Sequence, residues 1–258
     1  MRLSIEVDLE YHFVHPADVL LQIEAAAMAD QRIEVESLSV FSDSPIRAVR
    51  GEDGVGQRCW GRGHGAWHAE YRAIVAIERT TIDLASLPAT PARSLDGHLI
   101  PYLLPSRYCQ SDRFEGFVQR EFGRVEGGAL AAALTEWVAT SLDYASGTSS
   151  GETTALDTFA SRSGVCRDYA HLLVALARAG GIPARCVSAY APGVDPPDFH
   201  AVAELWLAGG WHLADPTRMS GCGDIARVCA GRDATDIAFM TVFGATEMRR
   251  QSVRVRAA

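Results

Sequence analysis

The 258 residues carry a net charge of −8 and are 48% hydrophobic, enough for a substantial core in one large or two ordinary domains. The acidic balance, with arginines scattered along the chain, argues against a nucleic-acid surface, and no stretch of about 18 apolar residues is present to span a membrane. All 24 positive residues are arginine and asparagine is also missing, which excludes a Schiff-base lysine, a Ser–Lys dyad, a Walker A phosphate loop and a Cys–His–Asn site.

The first residues place Glu6, Asp8 and Glu10 inside an apolar alternation, unlike a secretory signal. The six cysteines form no C-x-x-C pair. A cytoplasmic protein with reduced thiols is expected. Residues 1–105 read as β-rich. Leu3, Ile5, Val7, Leu9, Tyr11 and Phe13 alternate with polar residues, Ile33 to Val40 gives further short alternations, and Tyr71 to Ile77 is another strand. Asp18 to Met28 fits a helix or a buried strand. Gly61 to His68 holds three glycines and reads as a loop, although His64 and His68 have a spacing that would suit zinc on a helix. No metal or other cofactor is expected.

Pro88 to Cys109 holds four prolines and reads as a linker or draped loop. Helical spacing follows. Phe114, Phe117, Val118 and Phe122 form one set, and Leu130, Leu134, Trp137, Val138 and Leu142 form one face. A break at Gly147 to Thr154 precedes a helix from Cys166 to Ala179, ended by Gly180, Gly181 and Pro183. Strands are expected at Arg185–Tyr190, His200–Leu207 and Trp211–Asp215.

Cys166 opens its helix, with Ser163 or Gly164 as the expected cap. Unpaired N–H groups and the helix dipole favour a thiolate at such a position, and the same N–H groups can donate to an oxyanion. His200 starts the next strand but one, beside a mobile loop, and Asp215 ends the one after. Nucleophile, base and orienter thus appear in order. Parity puts His200 and Asp215 on one face and the rival His212 on the other. A two-residue turn at Gly209–Gly210 leaves His200 about 13 Å from Asp215 at ~3.3 Å per residue, so a bulge there, or a turn nearer Leu207 and Ala208, is required.

The strings around Cys166 (R-S-G-V-C-R-D-Y-A-H-L), His200 (F-H-A-V-A-E-L-W-L) and Asp215 (W-H-L-A-D-P-T-R) resemble the transglutaminase-like core, a branch of the papain-like cysteine enzymes. The core resemblance covers about residues 125–220. The front half and the tail around Gly231 to Gly244 resemble bacterial proteins described as transglutaminase-like cysteine proteases. Members usually carry an aromatic two places after the histidine, where this chain has Val202. The resemblance implies an α+β fold, with a papain-like core (106–258, including a C-terminal strand) behind an N-terminal antiparallel β-sandwich (1–105). It implies acyl transfer through a thioester on Cys166, with His200 as base and Asp215 as orienter. The substrate would be a peptide or protein amide, either hydrolysed or passed to an amine. The competing reading is an inactive scaffold module. Tyr108, Tyr190, Trp206 and Arg232 are candidate substrate contacts.

Overall fold

In the computed structural model, which describes residues 1–42 and 44–258, the opening alternation becomes one long strand, β1 (Arg2–Leu21). Leu3, Ile5, Val7, Leu9, Tyr11 and Phe13 all bury one face, as a period of two requires. The ambiguous stretch after Asp18 is therefore strand as far as Leu21. Then come β2 (Gln31–Phe41), β3 (Arg47–Arg50) and β4 (Gln57–Ile77). β4 pairs antiparallel with β1 over nearly its whole length, and β2 and β3 share its other edge.

Gly61 to His68 lies inside β4 rather than in a loop. Gly63 leaves room for the Phe13 ring, which a Cβ there would meet at 2.5 Å. Gly65 takes φ +62° where the β1–β4 register shifts. Glycines that looked like loop punctuation therefore mark a bulge in a long strand.

The proline-rich segment drapes over the core. Arg178, itself buried, donates to Leu104 O at 3.1 Å, Ser106 Oγ at 3.1 Å, Ala184 O at 2.9 Å and Arg232 O at 2.6 Å. Next are α1 (Glu115–Phe122), α2 (Gly127–Ser141), β5 (Asp143–Tyr144), α3 (Ala155–Ser161), β6 (Ser163–Gly164) and α4 (Cys166–Ala179). Every residue of α4 from Asp168 to Arg178 is buried. This helix packs on an antiparallel sheet ordered β10 (Ala226–Gly231), β7 (Ala184–Tyr190), β8 (His200–Leu207), β9 (Gly210–Ala214). Mixed helices and antiparallel sheets make the fold α+β. After α5 (Ala234–Ile237) the chain returns to the front. β11 (Met240–Phe243) and β12 (Glu247–Ala257) pair with β1, completing one six-stranded sheet.

A buried ionic network joins front sheet to core. Glu204, fully buried, accepts from Arg185 Nε at 2.7 Å on one oxygen and from Arg227 Nη1 at 2.8 Å on the other. Arg185 reaches Asp53 at 3.1 Å, Arg227 reaches Asp30, and Arg79 holds Asp30 at 2.6 Å. Three guanidiniums face three carboxylates, so the charges balance. Removing Glu204 leaves the buried Arg185 and Arg227 with only Asp53 and Asp30 at the edge of the network, an unbalanced buried positive charge that costs more than the assembled network contributes. Glu204→Gln should destabilise the protein by about 3–5 kcal/mol. Urea unfolding measures this directly, and a loss within ~0.5 kcal/mol would show that the network is not what joins the two sheets.

Candidate active site

The Cys166 helix starts where expected, but its cap is Val165, in an extended conformation, rather than Ser163 or Gly164. No side chain at the cap position accepts from the helix start. Instead Asp168 folds back to accept the Val165 N–H at 2.9 Å. Gly164 makes this possible, because a Cβ there would stand 2.7 Å from the Asp168 side chain. Arg167 donates to Ser149 Oγ, and to Ser150 O at 2.7 Å, tying down the loop that precedes α3.

The β8–β9 hairpin settles the reach from His200 to Asp215. Leu207 pairs with Gly210 and Ala203 with Ala214, so the turn residues are Ala208 and Gly209, at φ +51° and +80°. Two left-handed residues make the tight turn that matches strand twist. The two-residue hairpin therefore survives, shifted by one position from Gly209–Gly210. Continued by one residue, its register brings Asp215 level with Val202, on the side that also carries His200. His200 Nε2 donates to Asp215 Oδ2 at 3.0 Å. Asp215 also accepts at Oδ1 from the Thr217 N–H at 2.9 Å and hydroxyl at 2.7 Å, and at Oδ2 from the Ser220 N–H at 3.2 Å. His212 bonds to Leu207 O instead.

The other ring nitrogen of His200, Nδ1, is buried without a hydrogen-bond partner, and the Cys166 thiol lies beside the ring. Burial disfavours charge on His200. The hydrogen bond to Asp215 and the neighbouring Cys166 outweigh that and raise its pKa from 6.5 to about 9. Burial likewise opposes charge on Asp215, yet the bonds from His200 and Thr217 hold its carboxyl below 3.8.

Cys166 opens into a cleft of about 300 Å³ shared with His200, Asp198, Phe239, Ile237 and Gln251. Phe199 and Phe239 stack at 4.4 Å beside it, and Gln251 donates to Asp198 at 2.6 Å. The expected substrate contacts lie elsewhere. Tyr190 is fully buried, its hydroxyl donating to Ile23 O at 2.6 Å. Trp206 packs edge-on against Trp211 and His98. Arg232 is paired with Asp236 at 2.9 Å, and Tyr108 stacks on His171 at 5.1 Å while its hydroxyl bonds to Gly151 O. Two larger hollows, of about 500 and 480 Å³, lie against Trp67 and behind Asp215, and Cys166 lines neither.

Two groups have metal-ligand character among the described residues: Asp8, His68 and Glu70 on the front sheet, and Cys109, His171 and Cys186 in the core. In the first, Arg72 already occupies both oxygens of Asp8 at 3.1 and 3.2 Å. In the second, burial lowers His171 to about 4, so it is neutral, and its Nε2 accepts the Ala234 N–H at 3.0 Å. The proton then sits on Nδ1, the nitrogen without a partner, which leaves no lone pair for an ion. All three residues are fully buried, so this second Cys–His pair is also closed to substrate.

The family model of the transglutaminase-like superfamily matches residues 120–216. A crystal structure from Cytophaga hutchinsonii, of a protein provisionally described as a cysteine protease, superposes with a TM-score of 0.93. It is 34% identical and is matched over 99% of this chain and 90% of that one. An uncharacterized protein of Mycobacterium leprae is 36% identical over 115 residues, which span 41% of this chain and 41% of that protein.

The raised His200 and lowered Asp215 fix how the pair responds to pH. Its contribution to stability is complete between about 3.8 and 6.5, fades as pH rises through about 9 and His200 loses its proton, and is also lost in acid as Asp215 takes one up. Asp215→Asn should therefore cost on the order of 3 kcal/mol near pH 6. The gap to wild type should narrow by roughly pH 10. Urea titrations at the two pH values test this, and a pH-independent gap would mean that His200 is not charged in the folded protein.

Proposed function

This chain belongs to the transglutaminase-like superfamily, and from that premise we propose that it is a cysteine-dependent acyl-transfer enzyme acting on a peptide or protein amide. One observation carries the reading. A partly exposed cysteine at a helix start shares an open cleft with a histidine whose far nitrogen is held by a buried carboxylate. In the proposed cycle the reacting form is the ion pair in which His200 already carries the thiol proton, and Sγ bonds to the amide carbon, moving the carbonyl π pair onto oxygen. That pair returns, the C–N bond breaks, and the imidazolium gives its proton to the departing amine. Water or another amine then attacks the thioester, His200 takes its proton, and the thiolate leaves. Asp215 holds the ring for both transfers. The six free cysteines are in keeping with a reducing compartment such as the cytoplasm.

Iodoacetamide labelling with peptide mapping tests the assignment. Cys59, Cys109, Cys186 and Cys229 are buried, and burial pushes the thiols of Cys59 and Cys229 up to about 12 and that of Cys186 well above its ordinary value. Cys166 should be alkylated at least ~10-fold faster than the other five below pH 7, and His200→Ala should slow that reaction. A native Cys166 that resists alkylation would instead support an inactive scaffold. Amide turnover should fall as pH rises through about 9, because His200 then lacks the proton it must give to the leaving amine. A rate that stays level to higher pH would remove His200 from that role.

A further inference from the structure

The cleft that Cys166 opens into has an apolar wall and one exposed carboxylate. Phe199 and Phe239 form the wall, stacked at 4.4 Å, with Ile237 beside them. The Cys166 thiol lies 4.0 Å from Phe199 O, so Asp198 stands one residue from the thiol's own neighbour. Asp198 is exposed and lines the same cleft. Its two bonds converge on Oδ1, where the Phe199 N–H donates at 2.7 Å and Gln251 Nε2 at 2.6 Å. Among the described residues Oδ2 accepts no bond, and no arginine pairs with this carboxylate. The cations nearby are spent elsewhere. Arg167, which also lines the cleft, turns to the buried Asp168 at 3.2 Å and to Ser150 O at 2.7 Å. On β12, Arg249 pairs with Glu247 at 2.8 Å, Arg250 with Glu10 at 2.6 Å and Arg254 with Glu6 at 3.6 Å. Gln251 sits among these arginines, yet it is the residue that reaches Asp198, and its amide is neutral. Arg254 and Arg256 line a separate hollow of about 260 Å³, which shares Asp198 but not Cys166. The fold thus fixes the orientation of Asp198 without cancelling its charge.

We propose that Asp198 is a specificity-determining residue that selects acyl donors whose reacting carbonyl belongs to a lysine or arginine residue. This rests on the reading that Cys166 is acylated. Lysine and arginine lay an apolar stem along apolar surface and keep a charged head at a polar edge. The Phe199–Phe239 stack supplies the surface for the stem, and the free Oδ2 of Asp198 accepts from the head. The acyl part stays in the cleft as the thioester, so the lining acts on it until release. The Cys166–His200 ion pair is neutral as a whole and Arg167 is balanced by Asp168. Asp198 therefore sets the sign of the charge that an entering side chain meets. An acidic acyl residue would face that carboxylate without a compensating cation, so the same group that attracts one class repels the other.

Two esters test this. The p-nitrophenyl esters of Nα-acetyl-lysine and Nα-acetyl-norleucine share the same carbon stem and differ in the ammonium group. Hydrolysis of each is read as nitrophenolate release. Wild type should favour the lysyl ester by about 10-fold in kcat/KM, and Asp198→Asn should bring that ratio close to one. Asparagine can accept both existing bonds on its own Oδ1, so Phe199 and Gln251 keep their partner. Added salt should shrink the wild-type ratio, because it screens an exposed charge. A substitution that merely disturbed Cys166 or His200 would slow both esters alike and leave the ratio where it was. A wild-type ratio near one, or a preference that survives Asp198→Asn, would overturn the assignment and leave the enzyme reading intact. If neither ester were turned over in a way that requires Cys166, the enzyme reading itself would fall, and this assignment with it.

Discussion

A helix buried on all sides has nowhere to move, and α4 is such a helix from Asp168 to Arg178. Its interior residues meet other side chains at close-packed density, so any shift along or about its axis would open voids or force overlaps. Only its first turn reaches the cleft. Cys166 is therefore positioned by the packing of eleven buried residues that take no part in chemistry, and the same packing aims the backbone N–H groups of the helix start. Asp168 supports this from within. By accepting the Val165 N–H it stops the first turn from fraying where no side-chain cap exists.

The partners of Cys166 are held by a different device. His200 and Asp215 belong to adjacent strands, and their meeting depends on a turn of two left-handed residues. One of them is Ala208, for which that conformation is unfavourable. Further along β8, Glu204 is clamped between Arg185 and Arg227, whose remaining contacts run to Asp53 and Asp30 of the front half. The strand that carries the histidine is thereby bound to both layers. The helix fixes the thiol, the sheet fixes the imidazole, and the ionic network fixes the sheet against its neighbour.

Much of the core was legible in the sequence. The helix from Cys166 to Ala179 and the strand from His200 to Leu207 have the bounds their apolar spacing suggests, because Gly180 and Pro183 end the first and the Ala208–Gly209 turn ends the second. Parity along two strands put His200 and Asp215 on one face before any coordinates. What the pattern hid was register. Periodicity reports which face a residue takes within its own element, not which residue of another element it meets. The Gly61–His68 stretch shows the limit, since bulge glycines and loop glycines look alike until the Phe13 ring is placed. Tyr190 reads equally well as cleft or core, and only the pairing of its hydroxyl with Ile23 decides it. Asp198 and Phe199 had a signal, standing immediately before His200. Gln251 had none, because its place in the cleft comes from a strand that crosses back from the far end of the chain.

That crossing has a consequence for vectorial synthesis. β1 can pair with β4 as soon as residue 77 has emerged, but its second edge is filled only by β11 and β12. Until then a long strand with a fully apolar face offers unpaired backbone groups to any neighbouring nascent chain. Cys166, His200 and Asp215 are all translated during this interval, while the cleft still lacks Gln251 and the front sheet is unsealed. The ribosome therefore delivers the nucleophile before it delivers the wall that shapes access to it. The strand that protects β1 from aggregation is the one that finishes the pocket, so sealing the sheet and maturing the site are a single event.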